Sequence, residues 1–205
     1  MISRAYLGMQ CFWGESAFAK IRGVIGTRVG YAGGTTSSPT YRDIGDHTEV
    51  TEVTFDSSII SYKSILDFFW SHHDPTVSHK KQYKSAILWT NDEEEKIAKD
   101  SFEELKSKLN KPLDTYIVKL DKFHQAEDYH QKYWLRSQTS IHKALNLSDN
   151  ELVVSELAAK VNAYMAGYND FKDLDRLAKE YKLDEGVVKV IREIAERGGD
   201  PRACH

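Results

Sequence analysis

The sequence predicts an α+β fold, a ferredoxin-like layered mixed sheet with packed helices, followed by an α-helical C-terminal extension. Two observations carry this expectation. Up to about Gln138, short runs rich in β-branched and aromatic residues alternate with stretches of helical periodicity, whereas beyond it only helix and turn signals occur. The order of types is strand, helix, strand, strand, helix, strand, helix, strand, and the two adjacent strands suit an antiparallel hairpin. A boundary at 138 then divides a mixed unit, 1–138, from a helical extension with a cysteine-bearing tail, 139–205.

Strands are expected at 2–8, 24–31, 47–55, 85–89 and 115–120, each short and suited to a pleated surface. Helices are expected at 12–21, directly after the first strand, at 61–72, which carries Ile65, Leu66, Phe68 and Phe69, and at 92–109 after the cap Asn91. In the last third Ser148 opens a helix, because Glu151 stands three residues on, where both side chains reach free amides of the first turn. Helices over 171–181 and 185–196 follow from Phe171, Leu174 and Leu177, then Val187, Ile191 and Ile194, at helical spacing. Gly198-Gly199-Asp200-Pro201 ends the last of them and leaves the tail Arg202-Ala203-Cys204-His205.

With 205 residues, 40% of them hydrophobic, the chain can bury a sizeable core. Its 28 basic and 31 acidic residues are scattered and leave a net charge of −3, which gives no case for nucleic acid or an anionic membrane as partner. No apolar stretch is long enough to span a bilayer, and Met1 to Gly8 lack the features of a secretory signal, so a cytoplasmic protein is expected. Only two cysteines occur, Cys11 and Cys204, which are either inert thiols or a redox pair.

Cys11 falls where a strand ends and a helix begins, so its sulfur can lie near unpaired amides and the positive end of a helix dipole. That position favours thiolate over thiol and lowers a pKa that is ordinarily about 8.5. A buried structural cysteine fits the local sequence equally well. Phe12 and Trp13 follow at once and could wall a thioether methyl and its sulfur, or simply pack in the core.

Longer strings shift the balance. Cys11-Phe12-Trp13-Gly14-Glu15 is followed by Val29-Gly30-Tyr31-Ala32-Gly33-Gly34, Pro39-Thr40-Tyr41 and His47-Thr48-Glu49-Val50. His73-Asp74-Pro75, Gln82-Tyr83-Lys84-Ser85 and Ala126-Glu127-Asp128-Tyr129-His130-Gln131 come next. Together these collinear motifs, over roughly the first two-thirds of the chain, resemble peptide methionine sulfoxide reductase of type A.

The resemblance implies an α+β fold, Cys11 as nucleophile, Phe12 and Trp13 as the substrate wall, and Tyr41, Glu49 and Tyr83 as the residues that bind the sulfoxide oxygen. That oxygen leaves poorly unless protonated, so thiolate attack on the substrate sulfur needs a nearby proton donor. Similarity makes Glu49 that donor, a carboxylic acid kept protonated by burial against apolar rings. Taken alone, Glu49 in the alternating Glu49-Val50-Thr51-Glu52-Val53 reads as a solvated charge on a strand face, and Tyr41 and Tyr83 read as half-buried tyrosines.

Attack would leave a sulfenic acid on Cys11, which a second thiol can condense to a disulfide. Family members often recycle through a cysteine near the C-terminus, which makes Cys204 the expected partner, with Gly198 and Gly199 letting the tail reach back. A role-free tail thiol is the alternative. The expected partners are methionine sulfoxide, free or protein-bound, and thioredoxin or a similar dithiol. No cofactor or metal is expected, and the chain is expected to be a monomer.

Two departures stand out. Gln10 replaces the family's glycine before the cysteine, and only Thr-Val-Ser-His-Lys-Lys separates His73-Asp74-Pro75 from Gln82-Tyr83, so an aspartate-bearing loop of most relatives has no counterpart. The pairs His72-His73 and His124 with His130 lack metal-ligand spacing. A cysteine hydrolase and a non-enzymatic binding module are the rival classes, the first without any local motif and the second opposed by the retained Tyr41, Glu49 and Tyr83.

Overall fold

The computed structural model describes residues 1–9 and 11–203, with Cys11 and Phe12 described by their backbone alone. The chain runs through β1 (Ile2–Gly8), α1 (Cys11–Ala19), β2 (Val24–Ala32), β3 (Thr48–Asp56), α2 (Tyr62–Ser71) and β4 (Ser85–Trp89). In the sheet these strands lie in the order β4-β1-β3-β2, every neighbour antiparallel. β3 is thus inserted into the β1-α1-β2 unit, the split arrangement of the expected ferredoxin-like fold. α3 (Asp92–Leu109) then crosses to β5 (Thr115–Lys119), which pairs parallel to β4, and β6 (His124–Gln125) closes the order β5-β4-β1-β3-β2-β6. β6 has only two residues, too few to show any alternation, and the sequence reading missed it.

β3 is central, and both of its faces are covered. Val53 and Phe55 join Leu7, Phe18, Leu66 and Phe69 in the core under α1 and α2. On the opposite face Val50 packs with Ala32, Ala86 and Leu88. Its alternating charges are therefore interior: Glu49 and Glu52 are 3% and 6% exposed, and Glu52 accepts from Arg28 Nε and Nη2 at 3.0 and 2.8 Å. Caps fix the helix starts, Asn91 as anticipated and Ser61 where the sequence had placed a first helical residue. Ser61 Oγ accepts from the Ser64 amide and Asn91 Oδ1 from the Glu94 amide, each at 3.0 Å.

The last third folds as α4 (Tyr133–Ser137), α5 (Thr139–Ala144), α6 (Asp149–Val154), α7 (Glu156–Met165), α8 (Leu174–Glu180) and α9 (Glu185–Glu196). The Ser148–Glu151 capping box closes, with Glu151 Oε2 accepting from the Ser148 amide at 2.8 Å. α7 was not anticipated. It is buried all round from Leu157 to Met165, and a helix without a polar stripe has no amphipathic signature. Ala159 and Ala163 of α7 meet Ala19 of α1, and Lys160 Nζ donates to Ile21 O at 2.8 Å. Trp134, Leu135, Leu157, Val161, Leu177 and Ile191 belong to a second core among these helices. The helix expected from 171 begins instead with a 3-10 turn, Phe171–Asp173, ahead of α8.

The tail leaves α9 through Gly198 and Gly199, at φ 92° and 77°. A Cβ on Gly199 would stand 2.3 Å from the Gly167 amide nitrogen, so this glycine permits a close docking on the end of α7 rather than a free hinge. Among the described residues no helix is long and apolar enough to cross a membrane.

Candidate active site

Cys11 is the first residue of α1 and follows β1 after only two residues, where first-turn amides have no intrahelical acceptor. Its side chain and that of Phe12 lie outside the described residues, as does Cys204. α1 is seated tightly. A Cβ on Gly14 would lie 2.8 Å from Met9 O and 3.3 Å from Thr51 Oγ1.

One turn beyond Cys11, Glu15 is 1% exposed and bound by Lys132, which is wholly buried. Lys132 Nζ donates to Glu15 Oε1 at 2.8 Å, to Thr27 O at 2.6 Å and to Val153 O at 3.1 Å. Its backbone amide donates to Glu15 Oε2 at 2.8 Å. All three ammonium protons are thus used, as a charge inside a protein requires. Lys132 adopts the left-handed conformation, φ 52°, which lets amide and side chain reach the same carboxylate.

β3 supplies Glu49, paired in register with Tyr31 of β2. Glu49 Oε1 accepts from Gln82 Nε2 at 2.7 Å, while Oε2 is buried with no hydrogen-bond partner among the described residues. The neighbouring Thr48 Oγ1 donates to Lys81 O at 2.7 Å, so two consecutive β3 residues hold the 3-10 turn Lys81–Tyr83. Behind Glu49, the Tyr31 hydroxyl donates to Glu127 Oε2 at 2.6 Å, and Glu127 Oε1 accepts from the Tyr41 amide at 3.0 Å. Burial opposes the charge of Glu127, yet these two donors hold its carboxyl below the usual range. Burial and the bond to Glu127 push the Tyr31 phenol well up. Burial also lowers His130, outweighing the opposing effect of the nearby Glu127 carboxylate.

Trp13 and Tyr83 line one cleft of about 340 Å³, together with Gly8, Met9, His73 and Val77. Trp13 meets Trp134 edge-on at 6.5 Å. The short connection after α2 forms one side of the cleft. There Asp74 Oδ1 accepts from the Thr76 amide and hydroxyl at 2.9 and 2.7 Å. Tyr41 lies outside this lining, 39% exposed, its ring 4.5 Å from that of His130. The structure thus brings Glu49 and the turn bearing Tyr83 together, sets Trp13 in the same cleft as Tyr83, and links Tyr41 through Glu127 and His130. Gln82, Tyr31, Glu127 and His130 stand in the motif strings, where their sequence context assigns them no role. Gln82 had a signal in its adjacency to Tyr83, whereas the choice of Glu127 over Asp128 needs the fold. His72 Nδ1 contacts Phe68 O at 2.9 Å, and His73 contacts Phe69 O and Ser85 Oγ, both at 2.7 Å. No group of three or more His, Cys, Asp or Glu is placed to hold a metal among the described residues.

The sheet thus carries a cysteine at the head of its first helix and a buried acid on the strand beneath it. The family profile "Peptide methionine sulfoxide reductase" matches residues 3–161. A peptide methionine sulfoxide reductase of Drosophila melanogaster is 44% identical over 167 residues, covering 80% of this chain and 68% of its own. Among solved structures, methionine sulfoxide reductase A of Corynebacterium diphtheriae superposes with a TM-score of 0.59 at 30% identity, covering 67% of this chain and 76% of that one. Mxr1 from Saccharomyces cerevisiae in complex with Trx2 superposes with a TM-score of 0.50 at 26% identity, covering 63% of this chain and 84% of that one. The chain belongs to the peptide methionine sulfoxide reductase family. It is an oxidoreductase that reduces methionine sulfoxide at the expense of thiols.

Proposed function

We propose that Cys11 is the nucleophile and Glu49 the proton donor in the reduction of the S epimer of methionine sulfoxide, with Tyr41 and Tyr83 supporting the oxygen and Phe12 and Trp13 walling the methyl group. The Cys11 thiolate attacks the substrate sulfur. An S–S bond forms as the oxygen takes the Glu49 proton; the hydroxyl then passes to the cysteine sulfur as that S–S bond and the substrate S–O bond break, which leaves methionine, a Cys11 sulfenic acid and an ionised Glu49. The observation that carries this reading is the buried Oε2 of Glu49, unpartnered among the described residues, on a carboxyl whose other oxygen is already fixed by Gln82 at 2.7 Å. A buried polar atom left open costs stability and is kept where a ligand completes it.

Cys204 then condenses with the sulfenic acid, and the resulting disulfide is reduced by thioredoxin. Support for the reductant comes from the Mxr1–Trx2 complex and from the low potential of such dithiols. The chain divides by function at 138 into a catalytic part and a helical extension with the cysteine-bearing tail. The short connection after His73-Asp74-Pro75 leaves out the family's aspartate loop. A reducing compartment such as the cytoplasm suits a cycle that needs free thiols.

The test is incubation of a methionine sulfoxide peptide with dithiothreitol, with the two sulfur epimers resolved. Consumption of the S epimer by the wild type and none by Cys11→Ser is expected; persistence of the S epimer would sink the reading. Cys204→Ser should still release one methionine per enzyme but stop thioredoxin-driven turnover. Normal multiple turnover with thioredoxin would take Cys204 out of the scheme.

A further inference from the structure

We propose that Asp200 is a latch that holds the C-terminal tail against the nucleophile's side of the fold and is the positioning residue for disulfide formation, an inference that rests on the assignment of Cys11 and Cys204 above. Six residues beyond α9's Ile194, the tail is locked by its own polar groups. The Asp200 amide donates to Met165 O at the end of α7 at 2.8 Å. Its carboxylate, in a residue only 4% exposed, accepts from the Arg202 amide at 3.0 Å, from Arg202 Nε at 2.8 Å and Nη2 at 2.7 Å, and from Gln138 Nε2 at 3.4 Å. The Ala203 amide donates to Asp200 O at 2.8 Å. The Arg202 guanidinium holds the Asp200 carboxyl down at about 2, so the latch is charged at any physiological pH.

A run of ring contacts connects this anchored segment to Trp13, which lines the cleft. The Arg202 guanidinium lies 5.8 Å from the Tyr133 ring centroid. Tyr133 meets Trp134 edge-on at 5.0 Å, and Trp134 meets Trp13 at 6.5 Å. Ala203, 8% exposed, belongs to the same apolar cluster as Trp134. Consecutive Cα atoms are about 3.8 Å apart, so fixing Ala203 confines the search volume of the residue bonded to it.

In the resolving step the Cys204 thiolate attacks the Cys11 sulfenic sulfur. An S–S bond forms, the S–O bond breaks, and hydroxide leaves with a proton as water. The sulfoxide has already supplied the oxidising equivalents, so no other oxidant is needed. Docking the tail beforehand removes most of the chain entropy that a free terminus would lose in reaching this geometry. The latch therefore acts on resolution and leaves sulfoxide attack alone.

The experiment compares wild type, Asp200→Ala, Asp200→Asn, Gly199→Ala and Cys204→Ser after one equivalent of a methionine sulfoxide peptide. It reads methionine released, sulfenic acid trapped by dimedone, free thiol lost, and turnover with thioredoxin and with dithiothreitol. Asp200→Ala and Gly199→Ala should release one methionine at the wild-type rate and keep dithiothreitol turnover within about twofold, which also reports an intact fold. They should form the disulfide at least tenfold more slowly, accumulate the dimedone adduct, and lose thioredoxin turnover in proportion, with Asp200→Asn in between. If Cys204→Ser is blocked with thioredoxin while Asp200→Ala forms its disulfide at the wild-type rate, the latch is wrong and the assignment of Cys204 stands. Normal thioredoxin turnover by Cys204→Ser would overturn both.

Discussion

Glu49→Gln is expected to slow sulfoxide reduction by about 10²–10⁴-fold in kcat, the usual worth of a positioned acid, while KM changes by no more than a few-fold. The substitute amide has nearly the same volume and keeps an oxygen for Gln82 Nε2, now 2.7 Å from Oε1. Burial and packing in β3 are preserved. What it cannot do is give up a proton to the sulfoxide oxygen as the S–O bond breaks. A loss confined to kcat is the mark of an interaction made in the transition state, whereas loss of ground-state binding alone would raise KM. Stopped-flow release of methionine in a single turnover is the measurement, because it is independent of recycling. A rate within about threefold of wild type would remove Glu49 from the proton-donor role.

Lys132→Met should cost about 3–5 kcal/mol of folding stability, the range for removing one partner of a buried ion pair. The substitution leaves Glu15, 1% exposed, without its counter-charge, and strips donors from Thr27 O and Val153 O. For a chain of this size that corresponds to a fall in Tm of order 10 °C. Because Glu15 lies one turn from Cys11, the variant's remaining folded fraction should also turn over more slowly. Adding Glu15→Leu should restore part of the stability, since two apolar side chains can replace a buried pair more cheaply than one unpaired charge can be tolerated. A Tm within about 2 °C of wild type for Lys132→Met, measured by calorimetry, would show that the pair contributes little.

Most of the sheet was legible in the sequence because its strands are short, β-branched and separated by helices, and α3 and α9 were read to the residue, the first from its cap Asn91 and the second from its apolar spacing. What escaped was either too short or too uniform. β6 has two residues, and α7 is buried on every side because it lies between α1 and the outer helices. Glu49 shows why local pattern alone misjudges a site. Alternation in β3 suggested a solvated face, but β3 is the central strand with cover on both sides, so its polar residues are interior. The Glu15–Lys132 pair joins positions 117 apart in sequence, and nothing local marks either partner.

The placement of α7 behind α1 has a dynamic consequence. α1 is held between the sheet and a buried helix, with Ala19 against Ala159 and Ala163, so its amides should exchange with solvent only when the whole fold opens. The tail, held on the end of α7 by the Asp200 amide and on the helical core by Ala203 alone, has far less cover than α1 and should open by itself more often. Hydrogen exchange would then separate a slow compartment holding α1 from a fast one holding the tail, the division that the proposed split between attack and recycling requires.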